Sequence, residues 1–237
     1  MTLNKNITKP ENTDRARNLS LFEFDKEEQK RSKCTLIIGT DEAGRGPATG
    51  PVFAAAVCFK TPTAQVIEQL AKLNDSKQIS EKTRLELYPV IKENAVTSVV
   101  MIDETMIDRI NILNATCEAM KQACMNVVRE VRTTCMVLVD GNNRIRGYEF
   151  PQKTIVKGDS KSASIAAASI LAKVERDNLM IKLDEEFPQY GWKTNKGYLS
   201  PRHIDAIIKY GPSKYHRKSF LRNILDRQKI EQKKLEL

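Results

Sequence analysis

The chain of 237 residues has few cysteines and no long hydrophobic run, and each shortage excludes a class of protein. Its five cysteines are odd in number and widely spaced, and no two of them form a CxxC pair. This pattern argues against a disulfide framework and against a zinc site, so reduced thiols are expected. The most apolar segments, residues 52–59 and 165–172, are far shorter than the roughly 20 residues of a transmembrane helix.

The beginning of the chain lacks the apolar core of a signal peptide, so we expect a soluble cytoplasmic protein with no membrane attachment. Residues 1–32 are polar and charged, and only LSLFEF at residues 19–24 is apolar. We therefore expect a flexible extension whose short apolar piece docks on the body of the protein.

Positive charge is in excess, with 39 Lys and Arg against 30 Asp and Glu, a net charge of +9 and a pI near 9.3. Such an excess favours a polyanionic partner, either nucleic acid or an anionic surface, although a solvated basic surface gives the same count. Hydrophobic residues make up 41% of the chain, which is enough for a sizeable core.

The first half of the body has the pattern of strands interrupted by helices. Residues 34–40 and 52–59 read as strands, and the short glycine loop between them predicts antiparallel pairing. A helix follows from the N-cap Ser80, with Leu85, Tyr88 and Ile91 at helical spacing. Residues 96–103 read as a third strand. An apolar residue every three or four positions then predicts one long helix over 104–131.

The second half repeats a strand followed by a helix. A continuous apolar run over 135–141 predicts a central strand that ends at Asp140. Another strand is predicted to end at Gly158 and Asp159, with a helix beginning near Ser160. The element order indicates an α/β protein, with a mixed β-sheet flanked by helices and a helical C-terminal part.

Carboxylates terminate three of these predicted strands, namely Asp41 with Glu42, Asp140, and Asp159. Ligands of α/β sheets bind where strand ends converge, so these side chains are expected to share one site. Adjacent strand residues face opposite sides, so Asp41 and Glu42 can share it only if Gly44 stops the strand there. Clustered carboxylates need a compensating cation, and an all-oxygen set selects Mg²⁺ or Mn²⁺. The alternatives are structural: Asp159 as a helix N-cap and Asp140 as the start of a turn.

The glycine loop after Glu42 does not fit a nucleotide-binding motif. A P-loop needs GK followed by Ser or Thr, and a dinucleotide fingerprint needs GxGxxG that opens into a helix. Here no Lys follows the glycines, Pro47 and Pro51 occupy the place of that helix, and a strand comes next.

Seven motifs in this order resemble the type 2 ribonuclease H family, RNase HII. They span about residues 36–220 and read DEAGRGPATGPVFAAAV (41–57), NDSKQIS (74–80), NILNAT (111–116), LVDGN (138–142), VKGDSKSASIAAASILAKVERD (156–177), NKGY (195–198) and HRKSF (216–220). The resemblance implies the RNase H-like fold, and it implies that Asp41, Glu42, Asp140 and Asp159 are the metal-binding catalytic carboxylates.

The resemblance also implies an activity and its cofactors. Members hydrolyse the RNA strand of RNA:DNA hybrids and nick 5′ of ribonucleotides embedded in duplex DNA, leaving 3′-hydroxyl and 5′-phosphate ends. Two Mn²⁺ or Mg²⁺ ions act together with the substrate. We expect this protein to be a monomer that takes part in removing ribonucleotides from DNA.

Residues that bind the substrate follow from the same motifs. Gly44, Arg45 and Gly46 match a loop that reads the 2′-hydroxyl, Tyr198 matches a tyrosine that stacks on the junction sugar, and Lys77 matches a lysine near the phosphates. Arg45 and Lys77 as solvated charges, and Tyr198 as a core aromatic, are the structural alternatives. The basic segments 209–222 and 227–234, which include His216 and Arg217, are either phosphate clamps or solvated surfaces.

Three regions are expected: a polar extension over 1–32, an RNase H-like catalytic domain over 33–187, and a helical substrate-binding part over 188–237. Two alternatives compete with the type 2 enzyme. One is the type 3 ribonuclease H, which differs at the position of Arg45 and has an N-terminal domain that 32 residues are too few to form. The other is a non-catalytic nucleic-acid-binding protein with the same basic surface.

Overall fold

Five strands form one mixed sheet in the computed structural model, which describes residues 10–74, 76, 78–224 and 226. They are β1 (Leu36–Ala43), β2 (Val52–Cys58), β3 (Val96–Ile102), β4 (Cys135–Asp140) and β5 (Gln152–Ile155), in the order β3-β2-β1-β4-β5. The antiparallel pairs are β1 with β2 and β2 with β3, whereas β4 runs parallel to both β1 and β5. The predicted α/β fold with a mixed sheet is confirmed.

Helices cover both faces of the sheet. They are α1 (Pro10–Ser32), α2 (Ala64–Gln69), α3 (Glu81–Asn94), α4 (Glu104–Ile110), α5 (Ile112–Val131), α6 (Ala163–Glu186), α7 (Trp192–Asn195) and α8 (Pro201–Tyr210). The alternation along β2 assigns the faces: Phe53, Ala55 and Val57 pack with α6, whereas Ala54, Ala56 and Cys58 pack with α5. The core therefore lies in two layers, one on each side of the sheet.

The helix α6 lies unusually close to β1 because small residues line the contact. A Cβ atom on Gly39 would stand 2.2 Å from backbone atoms of Ser164 and Ile165. No side chain fits in that space, so the glycine in the middle of β1 permits the approach. This approach holds the first residues of α6 directly against the middle of β1.

The long helix predicted over 104–131 is two helices, α4 and α5. The break lies at Asn111, whose φ of +66° does not belong to a helix and whose side chain accepts a hydrogen bond from the Asn114 backbone N–H as an N-cap. Apolar residues recur without interruption across the break, because both helices turn their apolar faces to the core. The sequence pattern therefore gave no sign of the break. Cys117 and Cys124 of α5 are buried.

The segment after β5 also differs from the prediction. The strand was predicted to end at Gly158 and Asp159, but it ends at Ile155, and Asp159 lies four residues further on, in a 3-10 turn over Gly158–Ser160. The helix begins at Ala163 rather than near Ser160, because Ser162 is the residue that caps it. The proposed role of Asp159 as N-cap is therefore wrong.

The N-terminal extension contains a helix that begins at Pro10, and the flexibility expected for residues 1–32 stays a prediction. The residues 10–32 form α1, and its apolar side chains Leu21 and Phe22 are buried against the α6 side of the core. The rings of Phe22 and Phe59 meet edge to face with centroids 5.2 Å apart. The apolar piece docks on the body, as expected.

Two smaller expectations concern the helix after Ser80 and the C-terminal part. Ser80 caps α3 as predicted, but Leu85 is half exposed, and Leu87 takes its place with Ile91 in the core. The helices α7 and α8 pack with the end of α6 around the buried Trp192. The boundaries of the three expected regions stay predictions. In the part of the chain that the structure describes, no helix is long and apolar enough to cross a bilayer.

Candidate active site

The four predicted carboxylates lie at the same edge of the sheet. Asp41 and Glu42 lie near the end of β1. Asp140 is the last residue of β4, which runs parallel to β1, and Asp159 follows β5, which runs parallel to β4. In parallel strands the carboxyl ends meet at one edge, which explains the convergence. The site thus depends on the order β1-β4-β5 in the sheet.

Asp41 lies on the side of the sheet that faces α6. Its carboxylate accepts hydrogen bonds from the Glu42 backbone N–H, at 2.7 Å, and from the Ser169 side chain. The side chain is 6% exposed, and burial together with the charges of Glu42 and Asp140 raises the pKa of Asp41 well above its ordinary value. An ionised Asp41 in this place needs positive charge beside it.

Glu42 lies on the opposite side of the sheet, toward α5. The strand does not stop at Asp41 but continues to Ala43, and Glu42 pairs with Ala54 of β2 in regular register. The prediction that Gly44 ends the strand early enough for both side chains to face one way is therefore wrong. Glu42 lines a small cavity of about 70 Å³ with Arg45 and Asp140.

Arg45 is paired with Glu42 through a salt bridge of 3.1 Å between Nη1 and Oε1. The arginine side chain is 48% exposed, so this pair contributes little to stability. Arg45 also lines the cavity that Glu42 and Asp140 line.

Asp140 and Asp159 are linked through the backbone between them. The Gly158 N–H donates to Oδ1 of Asp140 at 2.7 Å, and a Cβ atom on Gly158 would stand 3.1 Å from that oxygen. Asp159 is buried in the turn that follows. Within the described ranges, no three His, Cys, Asp or Glu side chains stand as a ready-made ligand group for a metal.

The loop over residues 44–50 is held from beneath by the buried guanidinium of Arg217. Its Nη2 donates to the Gly44 carbonyl at 2.7 Å, its Nη1 to those of Arg45 and Pro47 at 3.2 and 2.7 Å, and its Nε to that of Gly50 at 2.8 Å. A planar group with five N–H donors suits this arc of carbonyls, whereas an ammonium does not. Burial lowers the pKa of Arg217 to about 9, so it stays charged at neutral pH.

A second buried arginine, Arg176 of α6, supports the same loop. Its Nη2 donates to the carbonyls of Thr49, at 3.2 Å, and Lys196, at 2.9 Å. The backbone of Gly44 has a φ of +99°, and a Cβ atom there would stand 2.3 Å from Nε of Arg176. Only glycine combines that conformation with that approach, so Gly44 is explained by the arginine beneath it.

Tyr198 lies against the loop from the other side. A Cβ atom on Gly46 would stand 3.3 Å from Cε1 of the Tyr198 ring, and the tyrosine is 54% exposed. The alternative that Tyr198 is a core aromatic is therefore wrong. The structure brings the loop and this aromatic face together on one open surface.

The backbone of Tyr198 is fixed by the two histidines of the chain, His203 and His216. His203 Nδ1 lies 2.8 Å from the Tyr198 carbonyl, and its Nε2 lies 3.0 Å from the indole nitrogen of Trp192 and 3.1 Å from Nε2 of His216. His216 Nδ1 accepts from the Ser213 N–H at 2.9 Å. Each donor has an acceptor when both rings are neutral, with the proton on Nδ1 of His203 and on Nε2 of His216.

Several sequence expectations about the basic residues change. His216 and Arg217 are buried, so they are not phosphate clamps. Within the segment 209–222, only the exposed basic side chains are available to contact phosphates. Lys77 and the segment 227–234 lie outside the described residues. Arg176 and Ser169 were missed, because a charged or hydroxyl side chain in a helix gives no sign in the sequence that it is buried.

Similar solved structures identify the class of the protein. A chain in the structure of the PCNA:RNase HII complex from Archaeoglobus fulgidus matches with a TM-score of 0.63 and 26% identity, covering 77% of this chain and 93% of that one. The ribonuclease H2 from Pyrococcus horikoshii OT3 matches with a TM-score of 0.64 and 25% identity, over 82% and 99% of the two chains. The Mn²⁺ complex of Bst-RNase HIII shares the fold, with a TM-score of 0.61 at 16% identity, over 89% of this chain and 69% of that one. The fold is the RNase H-like fold of ribonucleases H.

Sequence comparison then specifies the family. The ribonuclease HII model matches residues 38–223. Ribonuclease HII of Clostridioides difficile (strain 630) is 47% identical over 222 residues, which cover 93% of this chain and 81% of that protein. Ribonuclease HII of Caldicellulosiruptor bescii is 48% identical over 191 residues, which cover 80% and 88%. The chain belongs to the ribonuclease HII family, and it is a ribonuclease H that acts on nucleic acid.

Proposed function

We propose that the protein is a metal-dependent endonuclease that cleaves the RNA strand of RNA:DNA hybrids and nicks 5′ of a ribonucleotide embedded in duplex DNA. The products carry 3′-hydroxyl and 5′-phosphate ends, and the reaction serves the removal of ribonucleotides from DNA in the cytoplasm. The protein acts as a monomer. The observation that carries the proposal is the carboxylate edge of the sheet beside a glycine loop and an exposed tyrosine.

A divalent cation fits the carboxylate edge on electrostatic grounds. Asp41 is buried with the carboxylates of Glu42 and Asp140 near it, and the exposed Arg45 is paired with Glu42. Oxygen donors without His or Cys select Mg²⁺ or Mn²⁺, and Bst-RNase HIII, which shares the fold, has a crystal structure in complex with Mn²⁺. Asp41, Glu42, Asp140 and Asp159 would hold the ions. Bound there, the ions would activate water and stabilise the leaving 3′-oxygen.

The residues of the chain contribute position and charge to this reaction. Ser169 orients the carboxylate of Asp41, and the Gly158 N–H orients that of Asp140. The carboxylates thereby concentrate negative charge at one point of an otherwise basic chain.

Substrate discrimination is assigned to Gly44, Arg45, Gly46 and Tyr198. Glycines let the backbone N–H and C=O groups approach a sugar, and the 2′-hydroxyl, as both donor and acceptor, distinguishes RNA from DNA. The ring of Tyr198 beside Gly46 offers a flat face to the neighbouring sugar. Lys77 is proposed to contact a phosphate on the basis of the family motif alone.

A nicking assay tests this function. A duplex with one ribonucleotide, labelled on the strand that carries it, is incubated with Mg²⁺, with Mn²⁺ and with a chelator, next to an all-DNA duplex of the same sequence. We expect a single metal-dependent nick 5′ of the ribonucleotide and no cut in the all-DNA control. Binding without any nick in either metal would support a non-catalytic nucleic-acid-binding protein instead.

A further inference from the structure

The helix α1 contacts both ends of the segment that carries Asp159. The whole of this helix lies before residue 38, where the match to the family model begins, so the family model gives it no role. The contacts are made by two buried carboxylates on one face of α1, Asp25 and Glu28. Such burial of acidic side chains is costly unless partners satisfy them, so the partners indicate what the helix does.

Asp25 caps the beginning of α6. Its Oδ2 accepts from the backbone N–H of Ser164 at 2.9 Å and from the Ser164 hydroxyl at 2.7 Å, and its Oδ1 accepts from the hydroxyl of Ser162. The N–H groups of a first helical turn have no partner within the helix, and a carboxylate there also suits the helix dipole. Burial raises the pKa of Asp25 to about 6, so the carboxylate is ionised at pH 7.5.

Glu28 holds the strand on the other side of the turn. Both of its oxygens accept from Nζ of Lys153 in β5, at 2.9 and 2.8 Å, and Oε1 also pairs with Arg31 at 2.9 Å. The Glu28 side chain is buried, and the two cationic partners are partly exposed. The helix is therefore tied to β5 before the turn and to α6 after it.

The turn between these two attachments contains Asp159. Ser162 lies three positions after Asp159, and the N–H of the adjacent Gly158 donates to the Asp140 carboxylate. The beginning of α6, which Asp25 caps, is therefore close to Asp159 in the chain. Movement of this helix start would displace Asp159 and loosen Asp140 at the same time.

We propose that Asp25 is a positioning residue of the active site, which fixes the start of α6 and thereby the turn that holds Asp159. The proposal rests on the catalytic role proposed for Asp159. It gives the N-terminal helix a function in catalysis that differs from that of a nucleic-acid-binding arm. Glu28 assists by holding β5, the strand that leads into the turn.

The test compares variants of the full chain at pH 7.5 by amide hydrogen exchange and by steady-state cleavage of an RNA:DNA hybrid. Asp25→Ala removes the cap, and Asp25→Asn keeps one oxygen acceptor for Ser164. Glu27→Gln is the matched control, because Glu27 is an exposed carboxylate one helix position from Glu28 and pairs only with Arg31 among the described residues.

In Asp25→Ala, we expect the amides of residues 158–166 to exchange about tenfold faster, while those of β2 and β3 keep their protection. We expect kcat to fall about fivefold and KM for the hybrid to stay within about twofold, since substrate contacts are untouched. Asp25→Asn should recover most of kcat, and Glu27→Gln should match the wild type in both measurements.

Unchanged exchange at residues 158–166 would overturn the proposal, and so would faster exchange with an unchanged kcat. If Asp25→Ala does not fold, Ser164→Ala takes its place, because it removes one donor to Asp25 and keeps the helix; about threefold faster exchange is then expected, with a matching loss of kcat. The exchange measurement needs neither metal nor substrate. Full activity of Asp159→Asn would therefore refute the proposed catalytic role of Asp159. That outcome is distinct from unchanged hydrogen exchange in Asp25→Ala, which would refute the positioning role of Asp25.

Discussion

The acidic edge of the sheet and the loop beside it both bury charge, but only the loop compensates its charge from within the chain. Asp41 has Glu42 and Asp140 as its charged neighbours, which are carboxylates like itself. Arg217 has four backbone carbonyls, each within hydrogen-bonding distance. The loop is thus satisfied by groups of the chain itself, whereas the proposed function adds a divalent cation at the acidic edge.

This difference separates activity from stability. A carboxylate among carboxylates destabilises the folded protein when ionised, so removing one should cost catalysis but not stability. A guanidinium that satisfies buried carbonyls stabilises the fold, so removing it should cost stability first and function as a consequence. Four substitutions can break or sharpen the comparison.

The largest effect is expected at the acidic edge, for Asp140→Asn. The amide keeps an acceptor for the Gly158 N–H but loses the charge, so turnover of the hybrid should fall about a thousandfold or more. Hybrid binding, measured by fluorescence anisotropy, should stay within about threefold, and the melting temperature should not fall. Asp205→Asn, an exposed carboxylate in α8, is the control. A rate near that of the wild type would remove Asp140 from the site.

The next effect is expected in the loop, for Arg217→Met. Several buried carbonyls lose their donor, so we expect the free energy of unfolding to fall by about 3 kcal/mol in urea denaturation. Arg222→Met, an exposed arginine of the same segment, should leave it within about 0.5 kcal/mol. Equal stability of both variants would show that the carbonyl contacts of Arg217 are dispensable. Arg217→Lys should restore only part of the loss, since an ammonium cannot match the arc of carbonyls.

A third effect is expected from acidification, through buried groups that stay neutral. Burial and the neighbouring His203 lower the pKa of His216 to about 4. Between pH 6.5 and 4 the unfolded chain therefore binds more protons at this residue than the folded chain does, and stability is lost as the pH falls.

Comparison with His216→Gln isolates that contribution. Between pH 7 and pH 5 the wild type should lose about 2 kcal/mol of unfolding free energy more than the variant. Asp25, whose pKa is raised, acts in the opposite direction in both proteins and cancels in the difference. Parallel pH profiles of the two proteins would contradict the assignment of a neutral, buried His216.

The smallest effect is expected for Tyr198→Ala. The side chain is 54% exposed, so stability should hardly change, while cleavage at a single ribonucleotide should fall about tenfold through lost stacking. Tyr198→Phe should keep most of the activity. Tyr210→Ala removes an equally exposed tyrosine, at 56%, from the end of α8 and serves as the control. If both alanine variants cleave equally well, Tyr198 has no role at the junction.

Much of the sheet could be predicted because its strands have a recognisable local sequence pattern. The runs that became β1, β2, β3 and β4 are apolar or β-branched and are bounded by polar or glycine-rich segments, so pattern and structure agree. The carboxylates at their ends could be found for the same reason. The prediction failed at Asn111, because an asparagine inside an apolar period is compatible both with a continuous helix and with a cap.

The buried arginines show why the rest could not be predicted. In the sequence, nothing distinguishes Arg176 and Arg217 from the other 37 Lys and Arg of the chain. In the fold, both are buried beneath the loop over residues 44–50. Their burial depends on carbonyl groups that are far away in sequence. Asp25 is a similar case, since a carboxylate in a polar segment gives no sign that it caps a helix more than 130 residues later.

Local chemistry follows from the sequence alone: which strands form, which carboxylates lie at their ends, and which family motifs they belong to. The tertiary structure decided the rest, because the role of a charged side chain depends on whether it is buried and on which groups surround it. Pairing of β1 with β2 continues through Ala43, so Asp41 and Glu42 lie on opposite sides of the sheet. Contacts between residues far apart in sequence make Arg176 and Arg217 supports of the loop and make Asp25 of α1 a cap of α6, and no local pattern encodes those contacts.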